Sequence, residues 1–445
     1  MLSDVKAILH LTWPLLIGQL AAIAFGVIDT AMVGRFSAQD LAALGLGGSI
    51  YISVYVALFG ILAALSPIAG NLFGAKRLPE IGEVVRQSAW LALALSVLGM
   101  VVLYFPGPLL RLSDAPPELA ERATGYLRIL SFGLPASLVF RIYGGVSTAI
   151  GRPRFVMGVQ IVALLVKVPA NYWLIFGGLG VPAMGGLGCA LASTAINWIE
   201  AVLGAILLAR GQPYRPLAIF SRFSWPSVTQ LGALLRLGLP MGLSYLIEVT
   251  SYTFMAIFIT RFGTPTLAAH QIAGNVGAVL YMTPLSIGIA TATLVAQALG
   301  AEQRDRARTI SRHGILLAGM IGIGYAVLVA AARDGIAAAY TNDAMVAHTA
   351  AGLLLIVAAY HCFDAVQVTT SFVLRSYRVT VVPTLIYAVA LWGVGLGGGY
   401  VMGFDTLGVL PVWLTRANGF WIANTASLAV AAAMLVLYRR VVVRR

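Results

Sequence analysis

Twelve stretches of this chain are almost wholly apolar over about 20 residues or more, the length an α-helix needs to cross ~30 Å of hydrocarbon. They lie at about 8–34, 46–73, 87–106, 122–150, 155–177, 184–209, 234–261, 267–298, 311–332, 346–374, 380–403 and 416–438. The runs are continuous and do not alternate with polar positions, which predicts spanning helices and excludes a membrane β-barrel. The first run is too long for a signal-peptide core, and no small-x-small cleavage site follows it, so it is expected to stay as the first span. The polar segments between the runs are short, with no room for a catalytic domain.

Composition sharpens this picture. Of 445 residues, 60% are hydrophobic and only 10% are Asp, Glu, Lys or Arg, against roughly 25% charged in a soluble domain. Mean hydropathy is +0.90. A soluble enzyme, a disordered chain and a disulfide scaffold are thereby excluded. Cys189 and Cys362 both fall inside apolar runs and read as small buried hydrophobes.

The net charge of +13 would suggest nucleic acid in a soluble protein. Its placement points instead to a membrane surface. With the N-terminus cytoplasmic, 20 basic residues fall on the inner side and 7 on the outer, with Arg141 and Lys167 inside spans. The positive-inside rule then puts both termini in the cytoplasm of a bacterial-type inner membrane. Membrane lipids are the expected surface partner, and no nucleic acid is implied.

Sliding the chain by 226 positions gives a gap-free internal match. Pro14 meets Pro240, Arg35-Phe36 meets Arg261-Phe262, and Leu41-Ala42-Ala43 meets Leu267-Ala268-Ala269. Gly74-Ala75 meets Gly300-Ala301, and Arg152 meets Arg378. Six spans separate the copies, so both halves enter from the same side. That predicts a parallel repeat with a pseudo-two-fold axis, as in two-lobed secondary transporters. The expected organisation is an N-terminal six-helix lobe over 1–209, a basic, proline-containing linker over 210–233, and a C-terminal six-helix lobe over 234–445.

Four acidic residues lie inside spans: Asp29, Glu200, Glu248 and Asp364. Each costs about 2.5–3.5 kcal/mol at the bilayer centre even on the lenient insertion scale. Glu248 and Asp364 sit near the midplane. Ser244, Ser251 and Tyr252 share the face of Glu248, and Tyr360, His361, Gln367 and Ser371 share that of Asp364. Gln271, Asn275 and Tyr281 come from span eight. Burial disfavours the charged carboxylate, so such a group can take up a proton at neutral pH. Alternatively, two carboxylates with amide and hydroxyl oxygens offer a hard ligand set to Na⁺, making Glu248 and Asp364 candidate metal ligands. Tyr281 can add a cation–π face. Glu248 and Asp364 would lose that role if they simply paired with Lys167 or Arg141. Glu200 reads as a structural partner for Lys167. His361 reads as a neighbour of Asp364, since zinc would need three or four ligands. Asp29, about five residues from the outer end of its span, is in part an interfacial residue. No cofactor is expected. P-loop, H-E-x-x-H and G-x-S-x-G motifs are absent, so the sequence offers neither ATP hydrolysis nor a catalytic nucleophile.

Residues 27–34, Val-Ile-Asp29-Thr-Ala-Met-Val-Gly, resemble the first-helix signature of the multidrug and toxic compound extrusion (MATE) transporters. Residues 182–188, Pro-Ala-Met-Gly-Gly-Leu-Gly, resemble a second signature. The segment from Pro240 to Glu248, and the Asp364 helix ending in Leu-Arg375-Ser-Tyr-Arg378, are similar to the NorM branch. The likeness covers essentially the whole chain. It implies a V-shaped pair of lobes that exports organic cation drugs or dyes in exchange for Na⁺ or H⁺. It also implies that Glu248, Tyr281 and Asp364 bind the coupling cation. Asp343 would face the drug at the cavity mouth, with Asp29 and Ser49 nearby. His270 and His361 add titratable groups near the cation site. Tyr252, Met255 and Met282 would supply adaptable apolar contacts to cargo. A monomer is expected.

Three rival readings make different demands. A lipid-linked saccharide flippase of related architecture needs a cationic cavity, whereas this sequence buries acids. An intramembrane enzyme needs a nucleophile or metal motif. A passive channel needs no repeated lobes.

Overall fold

The computed structural model describes residues 2–111, 116–178 and 180–444. They are almost all helical, and among them the only β pairing is an isolated bridge between Gly178 and Val181. The helices are α1 (Leu2–Phe36), α2 (Ala38–Leu62), α3 (Leu65–Gly74), α4 (Leu78–Tyr104), α5 (Gly107–Arg111), α6 (Pro117–Ser131), α7 (Leu134–Ala149), α8 (Pro153–Phe176) and α9 (Gly185–Arg210). After the linker come α10 (Val228–Thr260), α11 (Thr264–Gly300), α12 (Arg304–Tyr340), α13 (Ala344–Ser376), α14 (Val381–Tyr387), α15 (Gly398–Gly403) and α16 (Arg416–Arg444). Among the described residues, eleven helices are long and apolar enough to cross a membrane, with α2 and α3 forming one span and α14 to α15 another. A twelfth span is formed if the pair α6 and α7, bent by 47°, is taken together. The fold is thus the all-α, twelve-helix membrane architecture that the apolar runs predict.

Helices outrun the apolar stretches that mark them. The run at 311–332 lies within α12, which spans 37 residues. An apolar run reports the lipid-depth segment, whereas a helix continues until a cap or breaker stops it. Ser37 starts α2 by accepting from the Asp40 N–H at 3.2 Å, and Gly177, at φ 79°, ends α8.

The repeat is written into the backbone. The span Ala38–Gly74 and its mate Thr264–Gly300 begin and end 226 positions apart. Just beyond them, Lys76 (φ 58°) and Glu302 (φ 61°) both adopt the left-handed conformation that non-glycine residues avoid. The next residues, Arg77 and Gln303, precede α4 and α12 with nearly equal dihedrals of −87°, 57° and −89°, 66°.

The described residues form two compact units. One comprises Met1–Leu16 with Leu243–Arg445, the other Ile17–Gly242. The chain therefore passes from one unit to the other within α1 and again within α10, in each case just after a helix-interior proline, Pro14 and Pro240. Proline removes one intrahelical hydrogen bond and weakens the helix locally.

In the N-terminal unit, Leu65, Ile81, Leu103, Leu127, Leu134 and Tyr143 form a fully buried core. The linker is strapped to the start of α4. Arg86 donates to the carbonyls of Ala218 and Ile219 and to Ser224 Oγ. Gln87 donates to the Trp225 carbonyl and accepts from the Ser227 N–H.

The C-terminal unit is built around α13, which packs against α11, α12 and α16. Small residues let these helices approach closely. A Cβ added at Gly322 of α12 would lie 2.8 Å from the His361 carbonyl and 3.0 Å from Ala365 Cβ, whereas one at Gly324 would meet nothing within 4 Å. The segment Ala388–Gly397, rich in glycine, is a π-helix. One carbonyl of this widened stretch, Leu391 O, accepts from Ser251 Oγ of α10 at 3.2 Å. Gly322→Val should destabilise the protein by roughly 1–3 kcal/mol through overpacking, seen as a lower thermal unfolding midpoint in detergent. Gly324→Ala should leave the midpoint unchanged or slightly raised, and the opposite ranking would contradict this packing.

Candidate functional site

The C-terminal unit brings Glu248 and Asp364 into one polar cluster. Asp364 is only 1% exposed. Its Oδ1 accepts from Gln367 Nε2 at 3.1 Å, one helical turn along α13. Gln367 is itself oriented by Tyr387, whose hydroxyl donates to Gln367 Oε1 at 2.6 Å. The other carboxylate oxygen, Oδ2, has no hydrogen-bond partner among the described residues, and His361 Nδ1 stands 3.7 Å from it. Glu248, half-buried on α10, feels the charges of Asp364 and Arg375 and is approached by the Tyr281 hydroxyl from α11. Among the described residues neither carboxylate has a Lys or Arg nitrogen within 4 Å.

Arg375 completes the cluster. It lies just past the apolar run at 346–374, yet it is only 6% exposed and belongs to the last turn of α13. Its Nη1 donates to the Tyr245 hydroxyl at 2.7 Å, and its guanidinium lies over the rings of Tyr245 and Phe372. It follows Asp364 by eleven residues, three helical turns, so the two share a face. That spacing was available in the sequence.

Of the residues expected near this cluster, Ser244 is held elsewhere, against Thr384 Oγ1 at 2.7 Å. Gln271 and Asn275 are exposed. Tyr252 is 38% exposed and stacks on His270, with ring centroids 5.3 Å apart. His270 is completely buried, and neither ring nitrogen has a partner among the described residues.

The N-terminal unit holds a second polar cluster. Lys167 Nζ donates to Asp29 Oδ2 at 2.8 Å and to Ser193 Oγ at 2.9 Å. Asn171 Nδ2 donates to Asp29 Oδ1 at 2.7 Å. Lys167 and Asn171 are four residues apart on α8, so one helix face presents both to the carboxylate. The sequence reading gave Lys167 to Glu200, but the ammonium belongs to Asp29. Glu200 is buried and its Oε1 has no partner among the described residues. Arg141 donates to the Tyr55 hydroxyl and lies over the Phe59 ring.

Two further candidates have local roles in the structure. Ser49 is exposed and donates to the Gly45 carbonyl at 2.8 Å. Asp343 caps α13, its Oδ1 accepting from the N–H groups of Met345 at 2.8 Å and Val346 at 3.1 Å. Tyr387, Tyr245, Asn171 and Ser193 were not picked out from sequence, because hydroxyls and amides are common in spans and only packing selects those that meet a charge.

The family model MatE matches residues 14–173 and again residues 240–401, two segments that begin 226 positions apart. The chain is 38% identical over 437 residues to a "Probable multidrug resistance protein NorM" of Aromatoleum aromaticum, covering 98% of this chain and 94% of the relative. It is 34% identical, with the same coverage, to a protein of the same name from Neisseria meningitidis serogroup B. Among solved structures it resembles an outward-facing multidrug resistance MATE family transporter of the MOP superfamily, with TM-score 0.89 and 20% identity over 99% of this chain and 96% of that one. The eukaryotic MATE transporter AtDTX14 is similar at TM-score 0.88 and 19% identity, again covering 99% and 96% of the two chains. The duplicated twelve-helix frame and the matches along its whole length show that this chain belongs to the MatE family of membrane transporters.

Proposed function

We propose that this protein is a multidrug efflux transporter that moves organic cations outward in exchange for an inward-moving cation, by alternating access. One observation supports the reading: Glu248 and Asp364 share a polar cluster in which, among the described residues, no Lys or Arg nitrogen lies within 4 Å of either. Two neighbouring carboxylates in a low-dielectric site repel each other and call for a positive ion. Arg375 adds a fixed positive charge to the cluster without coming within 4 Å of either carboxylate, and the remaining neutralisation is assigned to a mobile cation, with Tyr281 beside Glu248.

The surroundings favour H⁺ over Na⁺ as that cation. Sodium needs several oxygen ligands. The Gln367 carbonyl oxygen is already taken by Tyr387, so its NH₂ group faces Asp364. His361 and Arg375 add an imidazole and a fixed positive charge. A proton needs one carboxylate oxygen, and among the described residues Asp364 Oδ2 has no hydrogen-bond partner.

Cargo contacts are assigned to Asp29, Ser49, Tyr252 and Asp343, acid and aromatic groups suited to amphipathic cations. The acids of the buried clusters argue against a saccharide-pyrophosphate flippase, whose cargo is an anion. The protein is expected to act as a monomer in a bacterial inner membrane with both termini cytoplasmic. Ion and cargo bias the same two-state equilibrium, each by its differential affinity for the two states.

The test is efflux of ethidium from proteoliposomes under separately imposed gradients. A pH gradient, acidic on the side to which ethidium moves, should drive transport, and a Na⁺ gradient should not. If Na⁺ alone drives it, the proton assignment falls and Glu248 and Asp364 become sodium ligands. Glu248→Gln should reduce gradient-driven efflux by on the order of 100-fold while leaving thermal unfolding unchanged. Asp364→Asn should remove the dependence of efflux on ion concentration. Wild-type transport in either variant would contradict the coupling role.

A further inference from the structure

Glu200 is buried, 6% exposed, and plays no part in the cation site described above. Its Oε1 has no hydrogen-bond partner among the described residues, yet the group feels the positive charges of Arg141 and Lys167. A carboxylate so placed is costly unless something neutralises it for part of the time.

The local geometry supplies that partner. Lys167 Nζ rests on Ser193 Oγ at 2.9 Å while it binds Asp29. Ser193 and Glu200 lie seven residues apart on α9, two turns or about 10 Å along one face. Helical side chains lean toward the N-terminus of their helix, so Glu200 leans toward Ser193. The lysine stem is long and flexible, and its head is a compact point charge. The ammonium therefore holds Asp29 while its charge, together with that of Arg141, also reaches Glu200. In the pair it makes now, the Asp29 side chain is the more accessible member, 12% exposed against 4% for Lys167.

We propose that Lys167 is an exchangeable counter-cation: it neutralises Asp29 when cargo is absent, and moves to Glu200 when a cationic substrate takes its place on Asp29. The proposal rests on the exporter reading. An alkylammonium cargo and Lys167 Nζ have the same chemistry, so each is a competitor of the other for Asp29. In the empty state the tethered ammonium covers Asp29, and in the loaded state Glu200 covers the ammonium. Neither step leaves Lys167 or Asp29 bare. The competition also weakens cargo binding, which favours release.

The test is ethidium binding to the purified protein, read by fluorescence polarisation. Lys167→Gln removes the competitor and should tighten binding about tenfold. Glu200→Gln removes the resting place of the displaced ammonium and should weaken binding by a similar factor. In the Lys167→Gln background, Glu200→Gln should have no effect, because the displaced charge no longer exists. Glu200→Gln retains the Asp29–Lys167 pair, so its effect can be read even if Lys167→Gln fails to fold. Unchanged affinity in Glu200→Gln, or an equal effect of that substitution in both backgrounds, overturns the exchange while leaving the exporter reading intact. Absence of ethidium binding by the wild-type protein overturns both.

Discussion

A carboxylate held at membrane depth must be neutralised, and that constraint organises this protein. Each unit meets it differently. In the N-terminal unit, Asp29 has a resident ammonium at 2.8 Å, backed by Asn171 at 2.7 Å. Buried ion pairs are tolerable when such hydrogen bonds satisfy the remaining lone pairs. In the C-terminal unit, among the described residues, Asp364 keeps an unpartnered oxygen and Glu248, near it, has no lysine or arginine nitrogen within 4 Å, although it lies in the field of Arg375. The frame is duplicated and the neutralisation is not. On the proposed mechanism, that asymmetry is what would let one unit answer to an ion.

The duplication gives both units common levers. The chain crosses between them in α1 and α10, just past Pro14 and Pro240, residues 226 positions apart. Each half thus contributes the start of its first helix to the other unit. Glu248, eight residues after Pro240, lies on a helix whose residues are divided between the two units. The π-helical stretch Ala388–Gly397 touches that same helix, through Ser251 Oγ and through Trp392 Nε1, which donates to the Ile247 carbonyl at 3.3 Å. Such widened turns free backbone carbonyls and are frequent at functional sites.

Much of the fold was legible in the sequence because lipid imposes a length on every span. The run at 267–298 marks α11, and the 226-residue offset marks a repeat that the matching left-handed conformations of Lys76 and Glu302 carry into the backbone. The grouping of Glu248, Tyr281 and Asp364 followed from their depth and from family likeness. Partner choice was not legible. Lys167 sits in the same span as Asn171, and nothing along the chain says whether that face turns toward Asp29 or Glu200. Rotation and packing of helices decide it. A charge near the end of an apolar run, such as Arg375, looks like a loop residue in the sequence, and only its eleven-residue spacing from Asp364 reveals a shared face. The strapping of the linker by Arg86 and Gln87 had no sequence signal, since backbone carbonyls carry no side-chain identity.

The central claim is that the paired carboxylates Glu248 and Asp364 hold a proton that cargo binding displaces. Its most direct test is to add an organic cation to the purified protein in weakly buffered detergent solution and to follow proton release with a pH indicator. Release should saturate with cargo binding in the wild-type protein and vanish when both Glu248→Gln and Asp364→Asn are present. Cargo binding without proton release in the wild-type protein, or equal release in the doubly substituted one, would contradict the account.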